Sequence, residues 1–225
     1  MADIRTSQTG DSTFEPYEGA WEAVQPGFKK YHMRYTTSRM NVRMHLNSPS
    51  APATYYLQTR VTLKSPQLLL RRGGEKTSPV VSFGRLQNTS RHALLGKGDC
   101  QKQPEELLVW EELRREKNVF RRSDYQFGTS EGSRTGGRAE FFWRKDREKV
   151  LMTVYDCVDE DGRVVASMRS GGAFNWKRAG EIDIRDGLDQ GLEEFLLISA
   201  LTIWIYEAFA YQSLLQGFSK ETGKQ

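Results

Sequence analysis

The first chemistry this chain offers is the binding of anions. Arg71 and Arg72 stand beside Gly73-Gly74 with Lys76 close behind. That combination gives two guanidiniums with bidentate donors, a tight turn and a point charge, which together suit a phosphate. A second group is Arg144, Lys145 and Arg147 after Trp143, and a third is Lys177 and Arg178 after Trp176. Cations beside tryptophan suit a headgroup interface, and they equally suit arginine stacked on a sheet wall. Lys29, Lys30 and Arg34, then Arg114, Arg115 and Lys117, then Arg121 and Arg122, extend the pattern.

Other chemistries fit the residues less well. Gly96–Asp99 and Arg71–Lys76 match neither a P-loop nor a dinucleotide fingerprint, which needs a glycine loop between a strand and a helix. His32, His45 and His92 are scattered without ligand spacing, so surface or half-buried histidines are expected and no metal. Cys157 sits among strand residues and reads as a small buried hydrophobe. Cys100, in the exposed and basic stretch Gly96–Gln103, is the one candidate nucleophile, its thiol expected to be lowered by nearby cations but with no base placed beside it. Asp156, Asp159, Glu160 and Asp161 lack the spacing of a calcium loop, and with Gly162 they read as a hairpin turn. No triad pattern emerges around Ser123-Asp124. The expectation is a binding protein, not an enzyme, with no cofactor.

The positive charge is not spread evenly. Of 33 basic and 29 acidic side chains, residues 1–28 hold one and five, residues 29–149 hold 25 and 12, and residues 150–225 hold seven and 12. The excess sits mid-chain, as an anionic partner such as phosphate, lipid headgroup or nucleic acid would require. Two cysteines build no disulfide framework, and the polar N-terminus carries no secretory pattern. A cytoplasmic protein, peripheral at a membrane surface, is the expectation that follows.

The elements that must position these cations are short strands. Tyr56–Leu63 alternates Leu57, Thr59, Val61 and Leu63 on one face, and Gln67–Leu86 reads as strand, Gly-Gly turn and strand. Arg91–Gly98 is a weaker strand. Arg138–Lys145 and Lys149–Val158 read as a hairpin joined near Lys145–Glu148, and Glu160–Met168 opens on the Asp161-Gly162 turn. Ala173–Arg185 alternates, breaks at Ala179-Gly180, and alternates again through Ile182 and Ile184. Glu105–Phe120 reads as a short helix from the steps Leu107, Trp110, Leu113. Asn47–Ala53 and Gly128–Gly137 read as loops. The total is eight to ten antiparallel strands and then one helix, a barrel or sandwich.

The helix is the apolar run Phe195–Ser213. It is nearly long enough to span a bilayer, but Glu207 interrupts it and the next cation is Lys220. Phe195, Leu196, Leu197, Ile198, Leu201, Ile203, Trp204 and Ile205 cover every side of it. A helix apolar all round is buried all round, so a sheet closed about it is the expected architecture. Asp189 is placed to cap its start, and Glu193 and Glu194 to complement its dipole. Glu207 then belongs at a barrel mouth, wet or paired with a cation.

In this order of pieces the chain resembles the tubby C-terminal-like superfamily, which includes the LURP-one-related proteins and phospholipid scramblases. The pieces are Val61–Phe83, Ala139–Asp146, Val154–Met168 and Phe174–Trp204, and the likeness covers roughly Tyr31 to Leu215. It implies a mainly β fold, a twelve-stranded closed antiparallel β-barrel around a central hydrophobic C-terminal helix. The domain plan is a flexible acidic leader at 1–28, the barrel at 29–216 and a polar tail at 217–225. The resemblance also implies a module for anionic phospholipid or phosphoinositide headgroups on the barrel exterior. The residues expected to bind them are Arg71, Arg72, Lys76, Arg144, Lys145, Arg147, Lys177 and Arg178. Nucleic-acid binding by the same basic face and scramblase-like lipid movement are the alternatives, and the acidic leader offers a surface for a protein partner.

Overall fold

A computed structural model describes residues 24–37, 41–62, 66–87, 92–117, 123–131, 137–146, 153–171 and 177–222, with side chains as far as Ala208. Twelve strands precede one helix: β1 (Phe28–Tyr35), β2 (Val42–Leu46), β3 (Ala53–Thr59), β4 (Leu68–Arg72), β5 (Val80–Leu86), β6 (Ala93–Lys97), β7 (Trp110–Lys117), β8 (Ser123–Thr129), β9 (Ala139–Lys145), β10 (Val154–Val158), β11 (Val164–Ser170), β12 (Arg178–Arg185) and α1 (Gln190–Thr222). Each strand pairs antiparallel with its neighbours in sequence, and β1 pairs with β12 from Phe28↔Arg185 to Arg34↔Arg178, which closes the barrel. Closure leaves no edge strand to template aggregation.

Alternation decides what faces inward. Tyr31 and Met33 of β1, Leu68 and Leu70 of β4, and Ile182 and Ile184 of β12 join one core with the helix. Every residue of α1 from Gly191 to Tyr206 is buried. Those 16 residues rise about 24 Å, close to the length of a seven-residue strand. The polar side chains on the enclosed helix are satisfied locally. Thr202 Oγ donates to the Ile198 carbonyl at 2.7 Å, and Ser199 Oγ donates to the Leu196 carbonyl at 2.8 Å while accepting from Trp143 Nε1 at 3.0 Å. At its start, Asp189 Oδ1 accepts from the Gly191 amide at 2.8 Å, the expected cap.

Several expectations change. The helix expected over Glu105–Phe120 is not formed in its described part, 105–117: Glu105–Leu107 is a single 3-10 turn, and Trp110–Lys117 is β7, paired with both β6 and β8. Helix-forming Glu, Leu, Arg and Lys give way there to ladder pairing. The strand after Ala53 ends at Thr59, and Val61 lies out in water at 91% exposure. The break at Ala179-Gly180 is an irregularity inside one strand. Gly180 has φ +153°, and a Cβ on it would sit 2.3 Å from the Arg169 carbonyl oxygen. The helix runs on to Thr222, past the expected boundary at 216. Among the described residues no helix is long and apolar enough to cross a membrane. The barrel starts at Phe28, and the leader up to residue 23 lies outside the described residues.

Candidate functional site

The eight cations predicted to form one site are divided by the fold. Arg71 points to the outer face of β4 and is buried there. Its guanidinium donates to Gln58 Oε1 at 3.0 and 3.2 Å, the Ser78 carbonyl at 2.6 Å and Gln101 Oε1 at 2.9 Å. With its donors so used, Arg71 clamps loops and does not offer a phosphate site. Arg72, the next residue, lies at the barrel mouth where α1 begins and pairs with Glu194 at 2.7 Å. Lys76 is exposed in the turn after it, at the same end.

The described ones among the others lie at the opposite end, where α1 emerges. Arg144 is exposed near the end of β9. Lys145 Nζ pairs with Glu207 at 2.7 Å and lies 5.6 Å above the Tyr155 ring, and the Tyr155 hydroxyl donates to Glu207 at 3.3 Å. Lys177 is exposed where β12 starts, and Arg178 pairs with Glu181 at 2.9 Å. Arg147 and Trp176 lie outside the described residues.

Both mouths are closed by the same device, a helix carboxylate held by a strand cation. At the start of α1, Glu193 accepts from Lys29 at 2.6 Å and from the Tyr31 hydroxyl, and Glu194 accepts from Arg72 and, at 3.3 Å, from the Tyr55 hydroxyl. Burial pushes the Glu194 carboxyl up, against the pull of Arg72. Burial and the adjoining carboxylates raise the Tyr31 and Tyr55 phenols, so both stay protonated donors. At the far end burial and Glu207 do the same for Tyr155. The Tyr206 hydroxyl donates to the His92 carbonyl at 2.6 Å and accepts from the Gln87 amide at 2.9 Å.

A third polar group lies on the outer wall, where Lys30, Glu181 and Asp183 are all under 3% exposed. Lys30 Nζ stands 3.4 Å from Glu181 and 3.7 Å from Asp183, and His32 Nδ1 stands 3.3 Å from Glu181. Burial works to raise the Glu181 carboxyl, but His32, Arg178 and Lys30 outweigh it and hold it below the usual carboxylate range. Asp183 is pushed up, chiefly by burial. His32 is thus fully buried, contrary to the expected surface or half-buried histidine.

Cys100 departs from the expected lowered thiol. It is half-buried against the cluster of Leu69, Val80 and Phe83, and burial with Asp99 raises its pKa despite Arg60 and Arg71. Cys157 is buried, as expected. The acidic cluster is a turn: Asp159 accepts from the Arg163 amide at 2.8 Å, Gly162 takes φ +76°, and Asp156 accepts from Ser167 Oγ at 2.6 Å. No group of three or more His, Cys, Asp or Glu among the described residues could hold a metal ion.

The topology exposes a pattern the sequence reading missed. In a barrel of consecutive hairpins, alternate connections fall at alternate ends. The six that join strands at the end where α1 emerges span 36–41, 60–67, 87–92, 118–122, 146–153 and 171–177, and their sequences contain nine basic and two acidic residues. The six connections of the other end span 47–52, 73–79, 98–109, 130–138, 159–163 and 186–189, and contain five basic and ten acidic. In sequence the connections of one end are basic and those of the other acidic, and seven of the nine basic residues lie outside the described residues. The basic-end segments also contain Met40, Val61, Leu63, Phe120, Leu151, Met152, Phe174 and Trp176. The signal was present in the sequence but needed the correct strand count, because each missed strand swaps the ends of every loop after it. No protein-family model, curated protein or solved structure matches this chain.

Proposed function

We propose that the protein is a non-catalytic module that docks on anionic phospholipid headgroups at a membrane surface, with the basic end of the barrel as the contact. Kinship with the tubby C-terminal-like proteins is part of the same proposal. The observation that carries it is the segregation of nine basic against two acidic residues into the connections of one end. Connections whose sequences mix basic with aromatic and aliphatic residues suit a headgroup layer, where each cation near the surface contributes about 1 kcal/mol and aromatics settle at the interface. Arg144, Lys145, Arg147, Lys177 and Arg178 stay in the proposed site. Arg71, Arg72 and Lys76 leave it.

The test is vesicle pelleting at two salt concentrations, on neutral phosphatidylcholine and on the same lipid containing phosphatidylserine or a phosphoinositide. Anionic vesicles are expected to bind and salt to weaken them. Neutralising Arg144 and Lys177 together to Gln is expected to weaken binding about thirtyfold, at about 1 kcal/mol per charge. Lys76→Glu, at the acidic end, is expected to leave it unchanged. Equal pelleting on neutral and anionic vesicles sinks the proposal. Displacement by a nucleic-acid oligonucleotide at lower concentration than soluble headgroup moves the same face to nucleic acid.

A further inference from the structure

We propose that Ser48, in the connection between β2 and β3, is a phosphorylation site whose phosphate is received by Arg34 and Arg43 on the outer barrel wall. This does not depend on the membrane reading. Residues 47–52 fold back along the wall they have just left. Asn47 Oδ1 accepts from the Lys30 amide at 2.9 Å, the Ala51 carbonyl meets His45 Nδ1 at 2.6 Å, and the Pro49 carbonyl accepts from Arg34 Nη1 at 3.3 Å. Asn47 turns the chain with φ +56°, and the Ser48 carbonyl accepts from the Ala51 amide at 3.1 Å. The turn is fastened on both sides of Ser48, and Ser48 itself is exposed.

The wall under this turn carries like charges side by side. Arg34 of β1 stands directly opposite Arg178 of β12 on one side and Arg43 of β2 on the other. Met33, Val42, Met44 and Ala179 belong to the core, so the three arginines share the outer face. Like charges directly opposite across a ladder, with Cβ atoms about 5 Å apart, destabilise a sheet. Arg178 has Glu181, but among the described residues Arg34 and Arg43 have only carbonyls, of Pro49 and, at 3.0 Å, of Gly74. Glu181 and Asp183, the carboxylates nearest in the ladder, are already held by Lys30, His32 and Arg178. An anion between Arg34 and Arg43 removes the repulsion, and a phosphoserine supplies a charge of about −1.5 to −2 with three acceptor oxygens. Arg34 already donates to the carbonyl of the residue after Ser48, so the receiving guanidinium stands beside the acceptor. Ser-Pro occurs three times in the chain, at Ser48, Ser65 and Ser78. Ser65 lies outside the described residues, and Ser78 is half-buried with its carbonyl clamped by Arg71 at 2.6 Å. Ser48 is the exposed one, and the proline after it names the enzyme class, a proline-directed kinase. Ser48 Oγ bonds to the γ-phosphorus of ATP, the bond from that phosphorus to the β-phosphate oxygen breaks, ADP leaves, and the hydroxyl proton passes to the kinase's base.

The test treats the full chain with ATP and a proline-directed kinase, beside an unstructured Ser-Pro peptide as the positive control. Mass spectrometry of a digest is expected to find phosphate on Ser48, and none there in Ser48→Ala. Phosphorylation is expected to raise the melting temperature by about 2–4 °C. In a phosphorus NMR titration the second phosphate ionisation is expected to fall below its ordinary value of about 6. Arg34→Gln with Arg43→Gln keeps a donor for each carbonyl and removes the repulsion, so the unmodified variant is expected to melt no lower than wild type. It is expected to be phosphorylated as before and to lose both the rise in melting temperature and the shifted ionisation. No phosphate on Ser48 under conditions that fully phosphorylate the control peptide overturns the proposal. A phosphate whose ionisation and stabilising effect are the same with and without the two arginines also overturns it. So does saturable binding of inorganic phosphate or inositol trisphosphate to the unmodified chain that the double variant abolishes, because the pair then belongs to a free or lipid-borne anion.

Discussion

Replacing Lys30 by Met should be among the more damaging single changes to this protein, although Lys30 sits on the outside of the barrel wall. Its ammonium is 0% exposed and faces Glu181 at 3.4 Å and Asp183 at 3.7 Å. His32 from the same strand, Arg178 of β12 and Arg169 of β11 complete the group. At an effective dielectric near 20 the gross attraction at 3.4 Å is about 5 kcal/mol. Removing one partner of a buried pair costs about 3–5 kcal/mol, because the remaining charge stays buried and uncompensated. The lower figure applies here, since Arg178 still holds Glu181. At about 2–3 kcal/mol per molar urea, a loss of about 3 kcal/mol moves the midpoint by roughly 1 M. The pH dependence carries the sign. Asp183 is already raised in the folded state by burial, and losing Lys30 raises it further. An unfolded aspartate titrates near 4. Between that value and the raised one the native variant binds more protons than the unfolded chain, so its stability falls as pH rises. The penalty should be full at pH 7.5 and smaller at pH 5. Lys30→Met with Asp183→Asn should recover part of the loss at pH 7.5. An unchanged urea midpoint, or an equal loss at both pH values, refutes the claim that this is a buried and electrostatically coupled group.

Arg72→Met should cost about 1 kcal/mol at pH 7.5, modest because Arg72 is half exposed, and less as pH falls, because burial raises the Glu194 carboxyl; thermal unfolding at pH 7.5 and at lower pH reads it. Tyr206→Phe removes the donation to the His92 carbonyl and should cost about 1–2 kcal/mol in urea unfolding. Gly96→Ala would put a Cβ 2.2 Å from the Phe83 ring and should cost about 1–3 kcal/mol, with Phe83→Leu in the same chain restoring part of it in calorimetry.

What the sequence made readable was set by how one-sided each element is. The run Phe195–Tyr206 is apolar on every side and permits only enclosure, and the Asp161-Gly162 turn fixes its hairpin. β1 is hard to see because its outward residues Lys30 and His32 are polar and yet buried by their own ion cluster, so Phe28–Tyr35 reads as a cationic patch. β7 hides behind helix-forming residues that only its pairing with β6 and β8 overrides. Arg71 and Arg72 looked like one phosphate grip because they are adjacent. In a strand, adjacent residues face opposite sides, and here one clamps the outer loop while the other plugs the barrel.

The enclosed helix also bears on the proposed membrane contact, because an apolar helix at a membrane surface invites the idea that it leaves the barrel and inserts. Withdrawal would break Lys29–Glu193, Arg72–Glu194 and Lys145–Glu207. Glu207 would then enter lipid at a cost of a few kcal/mol. The larger loss is inside. Met33, Leu57, Leu70, Trp143 and Ile182 would line an empty barrel, and emptying the space of even one leucine in a core costs about 3–5 kcal/mol. Two or three such gaps equal the whole net stability of a domain, about 5–15 kcal/mol. Lipid can solvate the departing helix, but it cannot refill the barrel without unfolding it. Membrane-bound protein should therefore be released by alkaline carbonate, and a fraction that resists extraction while keeping its β-sheet circular dichroism would show that the helix can leave an intact barrel, which this accounting forbids.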